Sequence, residues 1–589
     1  MESLSLRCVL LLACVLVLPA FAYGAESEDG KLEALFRAYL DRRFQQQPLD
    51  ASRLGDHRFD HLLDDVSPAA RAQWAERDRQ TLADLPRKVD YRKLSRDGQI
   101  DFEIFSHDLE YSLWQYANDR RFESDPRIYN EYITDSIYLL LVQSTVPKPE
   151  AVKSCIARMA FIPRVVEAAK IGLKDPAKVM VETAIRQNRG AIAFYESGLF
   201  ELAGETAQFS ELRPAATKVV AALKDYQQFL ERSLLPRAGD SWRIGKAKFA
   251  RKLELELNSG LTCDDVLTEA EREADRVERD MYVFARQLWS AAFPRRALPP
   301  EDAAGRRLTI TAVLAHYNRE HGKAEDLVRD AKTMVAHIKS FITDNDILRL
   351  PDPDRCQVIE MPEFQRGNSI AFLNPAPPLD AKAASVYAIS PPPHDWDARK
   401  VDSYLQEYNR RMLQILTIHE AYPGHFVQLA YSNRNPSVIR KALSSGAFVE
   451  GWAVYTEQMM LDQGYGNDDL VLRLNQLKWY LRSVINAILD YRMHCTTMTD
   501  DEAMELLTRR AFQSEGEARL KVIRAKQSSC QLSTYFVGRT AIHRLRQEIE
   551  REQGDRFELG RFHEAVLDQG SPPVKYLPEL VRARLARPR

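Results

Sequence analysis

His419, Glu420 and His425 stand within seven residues of one another, in the run His419-Glu420-Ala421-Tyr422-Pro423-Gly424-His425. Two histidines beside a glutamate are the equipment of a zinc hydrolase. Imidazole nitrogens hold the metal, and the carboxylate moves a proton to and from the attacking water. In the common HExxH arrangement the histidines lie four residues apart, on one face of a helix. Here the spacing is six. At about 100° per residue, a regular helix would carry His425 roughly 120° around from His419. The inserted residues are Pro423 and Gly424. Proline cannot donate the helical hydrogen bond, and glycine accepts unusual backbone angles. Two readings are open. A break at 422–424 swings His425 back beside His419, or Pro423-Gly424 ends the helix and leaves His425 in a loop.

The flanking elements bear on that choice. Leu405, Tyr408, Met412, Ile415 and Leu416 recur at helical spacing, and His419 continues their face. The helix before the motif therefore points His419 inward. Downstream, Glu450-Gly451-Trp452-Ala453-Val454-Tyr455-Thr456-Glu457 opens a helix with Ala447, Glu450, Val454, Glu457 and Leu461 on one face. Carboxylates on an inward stripe are costly unless paired or bound to metal. Glu450 is expected to supply the third ligand of a His₂Glu site, which keeps its fourth position for water. Glu457 either orients a ligand histidine from behind or is a solvated helix charge. The expected cofactor is one zinc ion per chain.

The fold expected around these helices is mainly α. Segments 31–45, 149–170, 176–195, 213–235 and 266–288 repeat apolar residues at three and four. Leu470, Leu474, Leu477, Leu481, Val484 and Ile488 mark a long helix over about 469–494, and Thr499 with Glu502 predicts a capping box opening the next. The proline-rich stretch 350–396 differs. It holds three β-like runs: Gln357-Val358-Ile359-Glu360, Ile370-Ala371-Phe372-Leu373 and Ser385-Val386-Tyr387-Ala388-Ile389. These make either a small sheet before the metal-binding helix, whose edge can pair with an extended peptide, or connecting loops with buried hydrophobes. Residues 26–589 are read as one large helical unit, with 397–540 as its metal-site core.

The bulk numbers are those of a soluble globular protein. The chain has 589 residues, 45% hydrophobic and 28% charged. A net charge of -2, with no basic block, excludes an electrostatically driven nucleic-acid binder. Residues 1–25 read as a signal peptide: Arg7, an apolar run from Cys8 to Ala22, then Ala20-Phe21-Ala22 as the cleavage site. That run falls short of a membrane span, and no later segment is long and apolar enough to be one. The expected location is periplasmic or secreted. Leu11-Leu12-Ala13-Cys14 loosely resembles a lipobox, the less favoured alternative. Five widely spaced cysteines remain after cleavage, with no CxxC pair, so a cysteine zinc site is not expected. His563-Glu564 has Leu567 where a second ligand would stand, and Gly367-Asn368-Ser369-Ile370-Ala371 lacks the second glycine of a nucleophile elbow.

Taken together, His419-Glu420-x-x-Pro423-Gly424-His425 and Glu450-Gly451-Trp452-Ala453-x-Tyr455-x-Glu457 resemble the signature of the bacterial domain-of-unknown-function family 885. That family is mostly α-helical and similar to gluzincin metallopeptidases. The likeness covers most of the mature chain, including the stretch with Tyr387 and the tail Phe562-His563-x-x-Val566-Leu567. It implies zinc on His419, His425 and Glu450, with Glu420 as general base. It also matches Asp490 and His494, four apart on a helix. They form either an oxyanion donor with its orienting acid or a structural pair. Arg524, Gln531, Tyr535 and Gly538 match as well, but Ser529-Cys530 stands where the family has Pro-Gly. Tyr535 would stabilise the tetrahedral intermediate and Arg524 would hold a substrate carboxylate, or both are buried polar anchors. The implied function is zinc-dependent peptide hydrolysis. Hydrolysis of a non-peptide amide or ester, and an inactive exported binding protein, are the competing readings.

Overall fold

The computed structural model describes residues 27–361 and 371–587. The signal-peptide reading, with Cys14, and the segment 367–369 lie outside the described residues. The fold is mainly α, with a single small sheet among the described residues.

The helices that carry the site are α1 (Arg410–Glu420), α2 (His425–Ser432), α3 (Gly446–Asp462), α4 (Leu470–Cys495), α5 (Glu515–Gln527) and α6 (Thr534–Gln553). At the middle is α4. Its apolar residues run beyond the single stripe seen in the sequence: Ile485, Ala487 and Leu489 are as buried as Leu474, Leu481 and Ile488. A helix apolar on all sides belongs inside a core. Against it packs helix Cys263–Ala292, opened by a capping box between Thr262 and Asp265. The predicted Thr499–Glu502 box also forms. Helices α1, α3 and α6 share this core. A second hydrophobic cluster lies within the N-terminal helices. A third joins helix Glu28–Gln46 to Val438, Ile439, Tyr576 and Leu580.

Two predicted helices are divided. The segment 149–170 forms Lys148–Met159 and Ile162–Gly172, because Pro163 has no N–H to carry the hydrogen-bond ladder across the junction. The face running from Leu405 to His419 is also two helices, Ala398–Glu407 and α1. Asn409 stops the first and caps the second, its side chain accepting from the N–H groups of Arg411 and Met412.

The three β-like runs do form a sheet. Its strands are β1 (Cys356–Glu360), β2 (Ala371–Asn374) and β3 (Ser385–Ile389), in the order β1-β3-β2. β1 runs parallel to β3 and β2 antiparallel to it, with Leu373 opposite Tyr387. β3 is buried along its whole length. β2 is an edge strand among the described residues, and it lies against α1.

Candidate metal centre

The break at Pro423-Gly424 brings the two histidines together. α1 ends at Glu420 and α2 starts at His425. The Tyr422–Pro423 peptide is cis. Gly424 folds back onto the end of α1, its N–H donating to the Ile418 carbonyl at 3.0 Å. A Cβ at this position would stand 1.9 Å from the His419 carbonyl oxygen, so only glycine fits. From α3, the Trp452 indole N–H donates to the Pro423 carbonyl at 2.8 Å and fixes the turn. The imidazoles of His419 and His425 meet edge to face, centroids 4.7 Å apart.

Glu450 comes to the same point from α3. Its Oε2 is 3.4 Å from His425 Nε2 and 3.8 Å from His419 Nε2. One ligand atom from each of the three residues lies within 4.8 Å of the others. A tetrahedral zinc with bonds of about 2.0–2.1 Å holds its ligand atoms roughly 3.3 Å apart. The three residues therefore fit such an ion with small side-chain adjustments. Glu457, two helical turns further along α3 and fully buried, binds His419 Nδ1 at 2.7 Å. That contact places the Nδ1 proton between them and leaves the Nε2 lone pair facing Glu450 and His425.

The electrostatics are those of a crowded, dry site. Burial, with His425 alongside, pushes His419 down to about 3, so its imidazole stays neutral, the form that binds a metal. Burial also opposes charge on His425, but Glu450 outweighs it and raises that pKa. Burial alone would raise Glu450. The hydrogen bond and charge of His425 instead hold it below the usual carboxylate range. Burial pushes Glu457 well up and Glu420 up to about 7. A carboxylate in that range exchanges protons readily near neutrality. Glu420 Oε2 accepts from the Leu373 N–H at 3.0 Å, so the edge of β2 borders the site. Behind it, the Tyr387 hydroxyl meets Thr417 Oγ1 at 3.1 Å and ties β3 to α1.

Tyr535 enters from the first turn of α6. Its hydroxyl lies beside Glu450 and helps hold that carboxylate's pKa down. It also accepts from Arg524 Nη2 at 3.2 Å, and Arg524 donates to Gln531 Oε1 at 2.7 Å. Tyr535 is this close because α3 and α6 cross backbone to backbone at Gly451 and Gly538. A Cβ on Gly538 would sit 1.7 Å from the Ala447 carbonyl oxygen.

Two expected residues are not at the centre. His494 gives its Nε2 proton to the carbonyls of Ala525 and Ser528, both at 2.9 Å, and packs against Trp242 and Phe249. Asp490 does not orient it. One carboxylate oxygen accepts from the Cys530 N–H and the other from the Ser533 hydroxyl, each at 3.0 Å. Both residues thus fasten the turn between α5 and α6, and they act on Tyr535 and Arg524 only through that backbone. His563 is also structural, bonded to the Tyr455 hydroxyl and the Ile347 carbonyl. Sequence reasoning missed Lys521. It stands one turn before Arg524 on α5 and is nearly buried, at 7% exposure. The i, i+4, i+7 spacing of Glu517, Lys521 and Arg524 was the available signal.

Solved structures share this architecture. One, described as a "putative lipoprotein of unknown function" from Shewanella oneidensis, is 29% identical, with a TM-score of 0.79 over 94% of this chain and 99% of that one. Another such lipoprotein, from Colwellia psychrerythraea, is 18% identical and shares the fold, with a TM-score of 0.77 over 95% of this chain and 100% of that one. No curated protein matches the sequence. The family described as "Bacterial protein of unknown function (DUF885)" matches residues 48–581, nearly the whole folded chain, and this protein belongs to it.

Proposed function

We propose that the chain is an exported zinc-dependent hydrolase of peptide bonds. The observation that carries this reading is the convergence of His419 Nε2, His425 Nε2 and Glu450 Oε2, with Glu457 behind His419 and the carboxyl of Glu420 adjoining. Zinc held by these ligands would polarise a carbonyl and bring the pKa of water at the site to about 7. Glu420 takes a proton from the attacking water and returns it to the leaving amine. The Tyr535 hydroxyl donates to the oxygen that gains charge as the carbonyl becomes tetrahedral. The edge of β2 is in keeping with a peptide substrate, since an extended chain pairing there would take over the Leu373 N–H now bonded to Glu420. Export is supported by the apolar leader and by the lipoprotein description of the two structural neighbours. Among the described residues no helix is long and apolar enough to cross a membrane.

The test is metal analysis of the purified chain followed by a peptide library. One zinc per chain and cleavage lost on chelation are expected. A metal-free protein that still hydrolyses peptides sinks the proposal. Turnover of esters or non-peptide amides alone would move it to another hydrolase class.

A further inference from the structure

A cavity of about 700 Å³ opens beside Arg524, whose guanidinium bonds Tyr535 at the candidate metal centre. One wall is the face of α5 that carries Glu517, Lys521 and Arg524, and the aromatic rings of Trp396, Tyr404 and Tyr408 form another. The charges around it do not balance. Glu517 is already satisfied, with Arg482 Nη1 at 3.1 Å and 3.3 Å from its oxygens and the Tyr408 hydroxyl donating at 2.9 Å. Glu407 takes Lys478 at 2.8 Å. Lys400 is close to Asp397, and among the described residues Arg399, Lys521 and Arg524 are left without an anion; Arg399 is solvent-exposed, and the other two stand on α5. Among the described residues Arg524 bonds the neutral Gln531 and Tyr535 and no acid. Lys521 makes no hydrogen bond or ion pair among the described residues, although it is nearly buried. Burial, with Arg482 and Arg524 nearby, pushes its pKa well below the usual lysine range.

An ammonium that faces a cavity from a mostly buried side chain, with no counter-ion among the described residues, is costly. That cost is offset if the missing anion arrives with the ligand. The place is tied to the chemistry by contact: Arg524 touches the Tyr535 hydroxyl, and Tyr535 lies beside Glu450. An anion held by Arg524 would lie next to the Tyr535 hydroxyl.

Resting on the peptidase reading, we propose that Lys521 and Arg524 form a receptor for a substrate carboxylate next to the scissile bond, with the aromatic wall taking the apolar part of the same residue. The carboxylate is either the free C-terminus of the peptide or an acidic side chain in the departing residue. A free C-terminus makes the protein an exopeptidase that removes a short C-terminal fragment. An acidic side chain makes it an endopeptidase selective for that residue.

The experiment uses the zinc-loaded Glu420→Gln protein, so that binding is read without turnover. Calorimetry compares an N-acetylated tripeptide acid, the same tripeptide as its C-terminal amide, and an amide carrying aspartate at the last position. The plain amide is expected to bind about tenfold or more weakly than whichever carboxylate is the natural one, the worth of a charge-assisted hydrogen bond. Lys521→Met should erase that difference and Lys521→Arg should keep most of it. Arg524→Ala, at an exposed position, gives a second reading should Lys521→Met fail to fold. Equal affinity for all three probes, or no binding of any, overturns the receptor. Wild-type cleavage of a peptide library is run alongside. Cleavage without carboxylate preference sinks only the receptor, and no cleavage of any peptide sinks the peptidase reading itself.

Discussion

Two histidines in this molecule start from similar circumstances and end differently. His419 and His494 are both buried, and burial pushes the first down to about 3 and the second to about 4. Each has a carboxylate at helical spacing from it or from its partner helix. The acid and the histidine of α4, Asp490 and His494, sit one turn apart yet never meet. Each turns to a backbone group of the 525–533 turn. The histidine of α1 takes its acid from α3, and its second ring nitrogen then faces His425 and Glu450. Burial and a depressed pKa do not separate a ligand from a strut. The destination of the remaining nitrogen does.

The comparison breaks first at Glu420. Glu420→Gln keeps size and hydrogen-bonding shape but removes the base. Turnover should fall by about a thousandfold or more, while zinc stoichiometry stays at that of the wild type. His425→Ala should instead release the metal, with the zinc-dependent rise in Tm disappearing alongside activity. A Glu420→Gln protein with full turnover would take the base out of the mechanism.

Next in size is Tyr535→Phe. Loss of one oxyanion donor costs about a hundredfold or more in kcat. KM and bound zinc should stay close to wild type, because the ring keeps its packing. A change confined to KM would make Tyr535 a substrate contact only.

The strut side of the comparison gives a smaller and opposite signature. His494→Leu should destabilise the fold by about 1–3 kcal/mol, since the Ala525 and Ser528 carbonyls lose a donor. Turnover per folded molecule should remain within about twofold. The pH dependence sharpens this. His494 has a folded pKa of about 4, below the roughly 6.5 of an unfolded histidine. A depressed value means that its contribution is present above 6.5 and lost as pH falls toward 4. The urea midpoints of wild type and variant should therefore converge on acidification through that window. A large loss of turnover at unchanged stability would return His494 to the chemistry.

Much of the candidate metal centre was legible because it is local. His419, Glu420 and His425 lie within one short run, and a proline-glycine pair announces the backbone break. Glu450 and Glu457 were readable from their inward stripe. The sheet was legible too, since β-branched and aromatic residues alternate between proline-rich turns. The rest depended on contacts with no local trace. Nothing in Asp490-x-x-x-His494 says that a distant turn will claim both side chains. Lys521 reads as a solvated helix charge until Arg482, Glu517 and Tyr408 are seen to pair off around it. The closeness of Tyr535 to Glu450 needs Gly451 and Gly538 to touch, and two glycines far apart in sequence do not signal a crossing.

The turn that Asp490 and His494 hold contains the smallest expected effect. The backbone of Cys530 is at φ 72°, in the left-handed region. That conformation costs a non-glycine residue roughly 1–3 kcal/mol. The cysteine is also fully buried, with Sγ 3.7 Å from the Phe249 carbonyl. Cys530→Gly should relieve the backbone and forfeit a buried side chain worth about 1–2 kcal/mol. The two nearly cancel, so the urea midpoint should shift by less than the equivalent of about 1 kcal/mol, with turnover unchanged. Cys530→Val keeps the volume but adds β-branching at a positive φ, and should be clearly destabilising. If the valine variant is as stable as the glycine one, the turn is not held in this conformation. The fastening role given to Asp490 then goes with it.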